Sequence, residues 1–184
     1  FQWGYSVLLL QVIWAIGWGM VLLAGLIWLP RAVLLGLAAL ILLGHDALPF
    51  SQPVTAQNLF WALFYNQPFV VPLGPGLPPL LVPYPIGPWL GVMLAGYLLG
   101  SWFGRPAAEL RPRLRRAGAG LLLLFVALRA INWYGDPQPW SVQPRGAFYS
   151  VLSFLNVSKY PPSLLFLSLT LGVALLLLST ADQW

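Results

Sequence analysis

Apolar residues run through this chain in long uninterrupted stretches, and the breaks between them are clusters of proline, tryptophan and polar groups. Neither the strict alternation of a half-buried strand nor the one-sided spacing of a helix on a soluble core dominates. From Val7 to Leu29 the only strongly polar side chain is Gln11, and Pro30-Arg31 closes the run. Ala32 to Phe50 resumes it and carries His45-Asp46 near its end, so the two stretches read as an αα-hairpin with a tight turn. Further runs cover Ile86 to Phe103, Ala117 to Tyr134 and Ser163 to Thr180, the last following Pro161-Pro162, where proline suits a helix start. A helix rising 1.5 Å per residue needs about 18 to 20 apolar residues to cross a ~30 Å hydrocarbon core. The pattern predicts an all-α, polytopic transmembrane helix bundle of about five spans (7–29, 32–50, 86–103, 117–134 and 163–180) in a single membrane domain.

The connecting stretches are unequal. Residues 51–85 are too rich in proline for a continuous span, but within them 56–65 puts Leu59, Phe60, Leu63 and Phe64 at helical spacing. Residues 135–162 form a second loop, with 147–155 as its helix; the first short helix is expected to lie in the membrane interface and the second to be interfacial or re-entrant. Gly87, Gly91, Ala95, Gly96, Gly100 and Gly104 form small-residue rows that suit close helix packing.

Composition turns the pattern into a class. With 59% apolar residues, 7% charged residues and a mean hydropathy of +0.80, the chain lacks the polar surface of a soluble domain and is expected to be solvated by the lipid bilayer. Arg31, Arg105, Arg111, Arg113, Arg115 and Arg116 fall at one face of the predicted bundle, Arg145 and Lys159 at the other, and Arg129 inside a helix. The positive-inside rule then orients it as a multi-pass protein of a bacterial inner membrane, with loop 105–116 cytoplasmic and loops 51–85 and 135–162 extracytoplasmic. The basic balance marks this loop and not a nucleic-acid surface, because no basic face interleaved with aromatics stands outside the runs. The absence of cysteine excludes disulfides, thiolate metal sites and a cysteine nucleophile, and with one histidine no protein-built metal centre is expected. No basic leader precedes the first run, and the chain starts at Phe1 and stops at Trp184. It reads as part of a longer protein, its open helix faces to be completed by further helices or by a homo-oligomer.

Candidate chemistry gathers at one level of the bilayer. His45, Asp46, Arg129, Asn132, Asp136, Asn156, Lys159 and Tyr160 all map to the outer span ends or outer loops. Ionisable groups at membrane depth cost roughly 2.5–3.5 kcal/mol each and persist where they pair or line a cavity, so an outward-opening binding pocket is expected. His45 beside Asp46 suits either interfacial hydrogen bonding or acid–base and ligand work. Arg129 suits either a snorkelling role or pairing with Asp136 or an anionic ligand. Lys159, the single lysine, stands in Asn156-Val-Ser-Lys-Tyr-Pro-Pro-Ser163, beside a rigid Pro-Pro pair, where its charge suits a phosphate, a carboxylate or an acyl carrier. No Walker loop, dinucleotide fingerprint, HExxH or GxSxG occurs.

The segments LQVIWAIGWGM (10–20), LLGHD (42–46), PWLGVMLAGYLLG (88–100), NWYGDPQPW (132–140) and LSFLNVSKYPPSLLFLSLTLG (152–172) resemble, in that order, the heparan-α-glucosaminide N-acetyltransferase catalytic-domain family of bacterial polytopic membrane proteins. The NVSKYPPS stretch is the most specific part. The resemblance implies an acyltransferase-type bundle in which acetyl groups from cytoplasmic acetyl-CoA reach a glycan, lipid or other small-molecule acceptor across the membrane. That family's histidine lies in an Asn-His context with a downstream aspartate; His45 follows Gly44, so no catalytic label passes to it. Val173 also stands where the family pattern has proline. A non-enzymatic transporter or flippase-like protein that binds an anionic solute or lipid head group is the alternative expectation.

Overall fold

The computed structural model describes residues 6–48, 54–55, 58–65 and 69–181. The chain is mostly helical, with seven α-helices among the described residues, and it divides into two compact units, Phe1–Leu98 and Leu99–Trp184.

In the first unit α1 (Val12–Leu26) and α2 (Arg31–Gly44) follow one another across the short expected turn, with Leu22, Leu23 and Leu26 of α1 against the core that Leu34 and Ala38 of α2 share. Pro30 starts α2 with its fixed φ of −56°, and its carbonyl accepts from the N–H groups of Val33 and Leu34. A 3₁₀ turn, His45–Ala47, extends α2, while the end of the expected 32–50 span lies outside the described residues. The 7–29 span is shorter than expected, because Leu8–Leu9 is strand β1 rather than helix. The expected 56–65 helix is observed as α3 (Leu59–Tyr65), residues 56 and 57 falling outside the described set. It is followed by β2 (Phe69–Val71), β3 (Leu80–Val82) and α4 (Ile86–Gly100), which stops short of the expected Phe103. β3 is the middle strand, parallel to β1 and antiparallel to β2, with Val70 opposite Leu81. Proline explains this small sheet: Pro72, Pro79 and Pro83 stand next to its strands and force the residues before them into extended backbone.

Leu34 and Ala38 of α2 and Leu90 and Leu94 of α4 make one apolar core, flanked by Leu22, Leu23 and Leu26 of α1. Ala62, Phe69 and Val82 make a second, beneath α3 and the sheet. The small-residue rows of α4 are used only at their start. A Cβ at Gly91 would lie 2.8–3.0 Å from Ile41 and Leu42, and one at Gly87 2.7 Å from the Phe64 carbonyl, whereas Gly96, Gly100 and Gly104 have open space around them.

The second unit is α5 (Ala107–Ile131), α6 (Ala147–Leu155) and α7 (Leu164–Ala181). The segment read as a basic loop is largely helix: α5 begins at Ala107, well before the expected 117, and ends at Ile131. Pro106 precedes its first turn, Glu109 pairs with Arg105 and Arg113 at four-residue spacing (3.3 and 3.7 Å), and Pro112 comes early enough to forfeit one backbone bond without ending the helix. α6 matches its expected bounds and α7 is shifted by one residue. α5 and α7 run antiparallel, crossing where a Cβ at Gly118 would stand 2.8 Å from the Gly172 carbonyl oxygen.

α7 is long and apolar enough to cross a membrane. α1 and α4, at 15 residues each, are about 22 Å long at 1.5 Å per residue.

Candidate functional site

The last turn of α5 places Arg129 beneath the segment that joins α5 to α7. Its side chain is 2% exposed, and its fork of N–H donors is spent on backbone oxygens. Nε donates to Phe154 O at 2.9 Å, Nη1 to Gln138 O at 2.8 Å, and Nη2 to Ser153 O at 3.1 Å and Asn156 O at 2.5 Å. Ser153, Phe154 and Asn156 are at the C-terminal end of α6, whose last carbonyls have no helical partner and whose dipole favours a cation there. Arg129 is therefore the cap of α6, reached from another helix.

Asp136 supplies the counter-charge. Its Oδ1 is 4.0 Å from Arg129 Nη1 and its side chain is 1% exposed. The carboxylate accepts from the Gln138 N–H (2.9 Å), the Ser158 N–H (2.7 Å), the Ser158 hydroxyl (3.1 Å) and the Ser163 hydroxyl (2.8 Å). Ser163 Oγ also accepts from the Phe166 N–H at 3.0 Å, which caps the start of α7. A buried charge pair is tolerable when its remaining hydrogen-bonding capacity is filled in this way.

The C-terminal end of α5 is closed by Asn132 and Trp140. Asn132 adopts the left-handed conformation (φ 58°) that ends helices, its N–H donating to Leu128 O at 2.9 Å. Its side-chain amide donates to Trp140 O at 2.9 Å and accepts from Trp140 N at 3.0 Å, while Trp140 Nε1 donates to Arg129 O at 2.8 Å. The Trp140 ring stands edge-on to Phe154, which stands edge-on to Phe125 of α5.

Of the residues singled out in the sequence, Arg129, Asn132, Asp136 and Asn156 thus meet in one network, Asn156 through its backbone carbonyl. Lys159 and Tyr160 follow it in the chain but are exposed, the Lys159 ammonium 5.2 Å from the Tyr160 ring centre. His45 and Asp46 lie in the first unit. His45 is 1% exposed; its Nδ1 bonds the carbonyls of Ile41 and Leu42 at 3.0 Å, and its Nε2 is 3.3 Å from Asp46 Oδ1. Carbonyls only accept, so Nδ1 carries a hydrogen and closes the end of α2. Trp140, Ser158 and Ser163 are the members that sequence reasoning missed. For Ser163 a signal existed, a serine between Pro-Pro and an apolar run, which is the pattern of a helix N-cap.

The chemistry open to this network is mechanical. Four of the five Arg129 N–H donors go to backbone oxygens and the Asp136 carboxylate accepts four hydrogen bonds, so the pair holds α5, α6 and α7 together at one end. Arg145, Tyr149, Lys159 and Tyr160 are among the exposed side chains at that end. Comparison with protein-family models, with curated proteins and with solved structures gives no match.

Proposed function

We propose that the chain is the multi-pass part of a bacterial inner-membrane acyltransferase-like protein, with five spans built on α1, α2, α4, α5 and α7. The observation that carries the membrane reading is the polarity of α5. Arg111, Arg113, Arg115 and Arg116 lie near its start and Arg129 in its last turn, Arg111 and Arg129 about 27 Å apart along the axis at 1.5 Å per residue. A cytoplasmic basic end and an extracytoplasmic cap satisfy the positive-inside rule along one helix. Trp28, after α1, and Trp133, after α5, are 85% and 87% exposed, as suits aromatics at headgroup level. The shorter helices fit a bilayer that thins locally or is met by flanking aromatic residues.

The transferase reading draws on the family resemblance, whose most specific stretch, Asn156–Ser163, is also the one that closes α5 onto α7 through Asp136. The reaction would move the acetyl group of the acetyl-CoA thioester to a hydroxyl or amine of an extracytoplasmic glycan or lipid, releasing the CoA thiol. The charge at the start of α5 suits the phosphates of acetyl-CoA: Arg115 and Arg116 are exposed, and Arg111 Nε is buried without an acceptor among the described residues. The acceptor end would be the capped end of α5. Full-length protein in lipid nanodiscs, given acetyl-labelled CoA thioester and membrane glycan and lipid fractions, should bind the donor and label an acceptor. Absence of both binding and transfer contradicts the reading. A transporter or flippase-like protein is the second reading, favoured by the exposed cations Arg145 and Lys159 at the capped end, and transfer of label in the same assay excludes it as the sole activity.

A further inference from the structure

α6 is built the opposite way round from a helix on a soluble core. Its inward positions are Ser150 and Ser153, whose hydroxyls accept the N–H groups of Gln143 and Ser141, together with Phe154. Its outward positions are Phe148, Val151, Leu152 and Leu155, which follow the i, i+3, i+4, i+7 spacing of one face and are 69%, 55%, 45% and 46% exposed. Just before the helix, Gly146 takes a φ of 112°, open to glycine and strained for other residues, and Arg145 lies 5.5 Å from the Tyr149 ring centre.

Arg145, Tyr149, Gln143 and Asn156 line an open groove of about 680 Å³ whose apolar wall is Leu152 and Leu155. The described carboxylates are engaged elsewhere: Asp46 with His45, Glu109 with Arg105 and Arg113, and Asp136 with Arg129. Arg145 therefore has no acidic partner among the described residues. A guanidinium with no counter-ion among the described residues, the Asn156 amide beside it and an exposed aliphatic and aromatic strip one helical turn away match the parts of one kind of molecule. An anionic phospholipid offers a phosphodiester for the first two and acyl chains for the third.

We propose that this groove binds the head group of an anionic phospholipid of the outer leaflet, with Arg145 on the phosphodiester and the Phe148 to Leu155 face lying on the acyl chains. The inference rests on the membrane topology proposed above. An uncompensated charge then becomes a recognition element, and an exposed apolar face becomes a buried one.

The test uses the full chain in nanodiscs of phosphatidylcholine alone and of phosphatidylcholine mixed with phosphatidylglycerol, read by native mass spectrometry and thermal unfolding. Wild-type protein should retain phosphatidylglycerol and unfold at a higher temperature in its presence. Arg145→Gln should retain it about tenfold less and lose the thermal shift, while unfolding like wild type in phosphatidylcholine alone. Arg145→Lys should keep part of both. Equal retention by Arg145→Gln, or the same thermal shift with inorganic phosphate in phosphatidylcholine discs, overturns the proposal. A wild-type chain that does not enter the discs overturns the topology as well, whereas one that enters and shows no phosphatidylglycerol effect overturns the lipid site alone.

Discussion

Replacing Arg129 with leucine is expected to cost the unit built from α5, α6 and α7 about 3–5 kcal/mol, the range for removing one member of a buried charge pair. Two effects add. The substitution leaves Asp136 as a charge with 1% side-chain exposure and no cation, and it strips donors from the carbonyls of Gln138, Ser153, Phe154 and Asn156. α6 should suffer first, because a helix of nine residues has little stability of its own and depends on its cap and on Phe154. Hydrogen exchange should show its amides losing protection before those of α7. Arg129→Lys should recover little, since a single ammonium cannot bridge carbonyls from two segments as the planar fork does. If the lysine variant unfolds at the wild-type denaturant midpoint, charge alone matters and the capping account fails.

The second large effect is expected where α5 crosses α7. A side chain at Gly118 meets the Gly172 carbonyl oxygen at 2.8 Å, and one at Gly172 meets Leu122 at 2.9 Å and the Gly118 carbonyl at 3.1 Å. Backbone oxygens cannot swing aside, so the helices themselves must separate. Gly118→Ala should cost about 1–3 kcal/mol and Gly118→Leu more, in the range of overpacked cores. Gly120→Ala is the control: nothing lies within 4 Å of its added carbon, and the change should be neutral or stabilising by up to about 1 kcal/mol through helix propensity. Because Gly118 and Gly172 share one contact, the double alanine variant should lose less than the sum of the singles. Matching unfolding midpoints for Gly118→Ala and Gly120→Ala in detergent would remove the close crossing from the account.

The helices were legible because uninterrupted apolar runs bounded by proline leave few alternatives, and α6 came out at its expected ends. What was not legible had weak or misleading local signals. The strands at 8–9, 69–71 and 80–82 are too short for a period to show. The basic start of α5 read as loop because proline and charge dominate there, although Glu109 spaced four residues from both Arg105 and Arg113 is a helix pattern. Within 129–163 the sequence marks polar residues that the structure brings into one network, but its most conspicuous one, Lys159, stands out only as the single lysine. The fold buries Ser163 and leaves Lys159 exposed. That Arg129 serves α6 was invisible for a plain reason: its acceptors are backbone carbonyls, which a sequence does not distinguish from one another. His45 and Asp46 adjoin in the chain, and the sequence left open whether they bond; in the 3₁₀ turn they stand 3.3 Å apart.

The most direct test of the account concerns α5, the helix on which the orientation depends. The chain has no cysteine, so single cysteines report without background. Gln138, beside the Arg129 cap, and Ala108, in the first turn of α5, are both exposed. In intact cells a membrane-impermeant thiol reagent should label cysteine at 138 and leave cysteine at 108 unlabelled until the membrane is permeabilised. Labelling at 108 with protection at 138 would contradict the orientation, and labelling at neither site or both sites before permeabilisation would contradict a membrane-crossing α5.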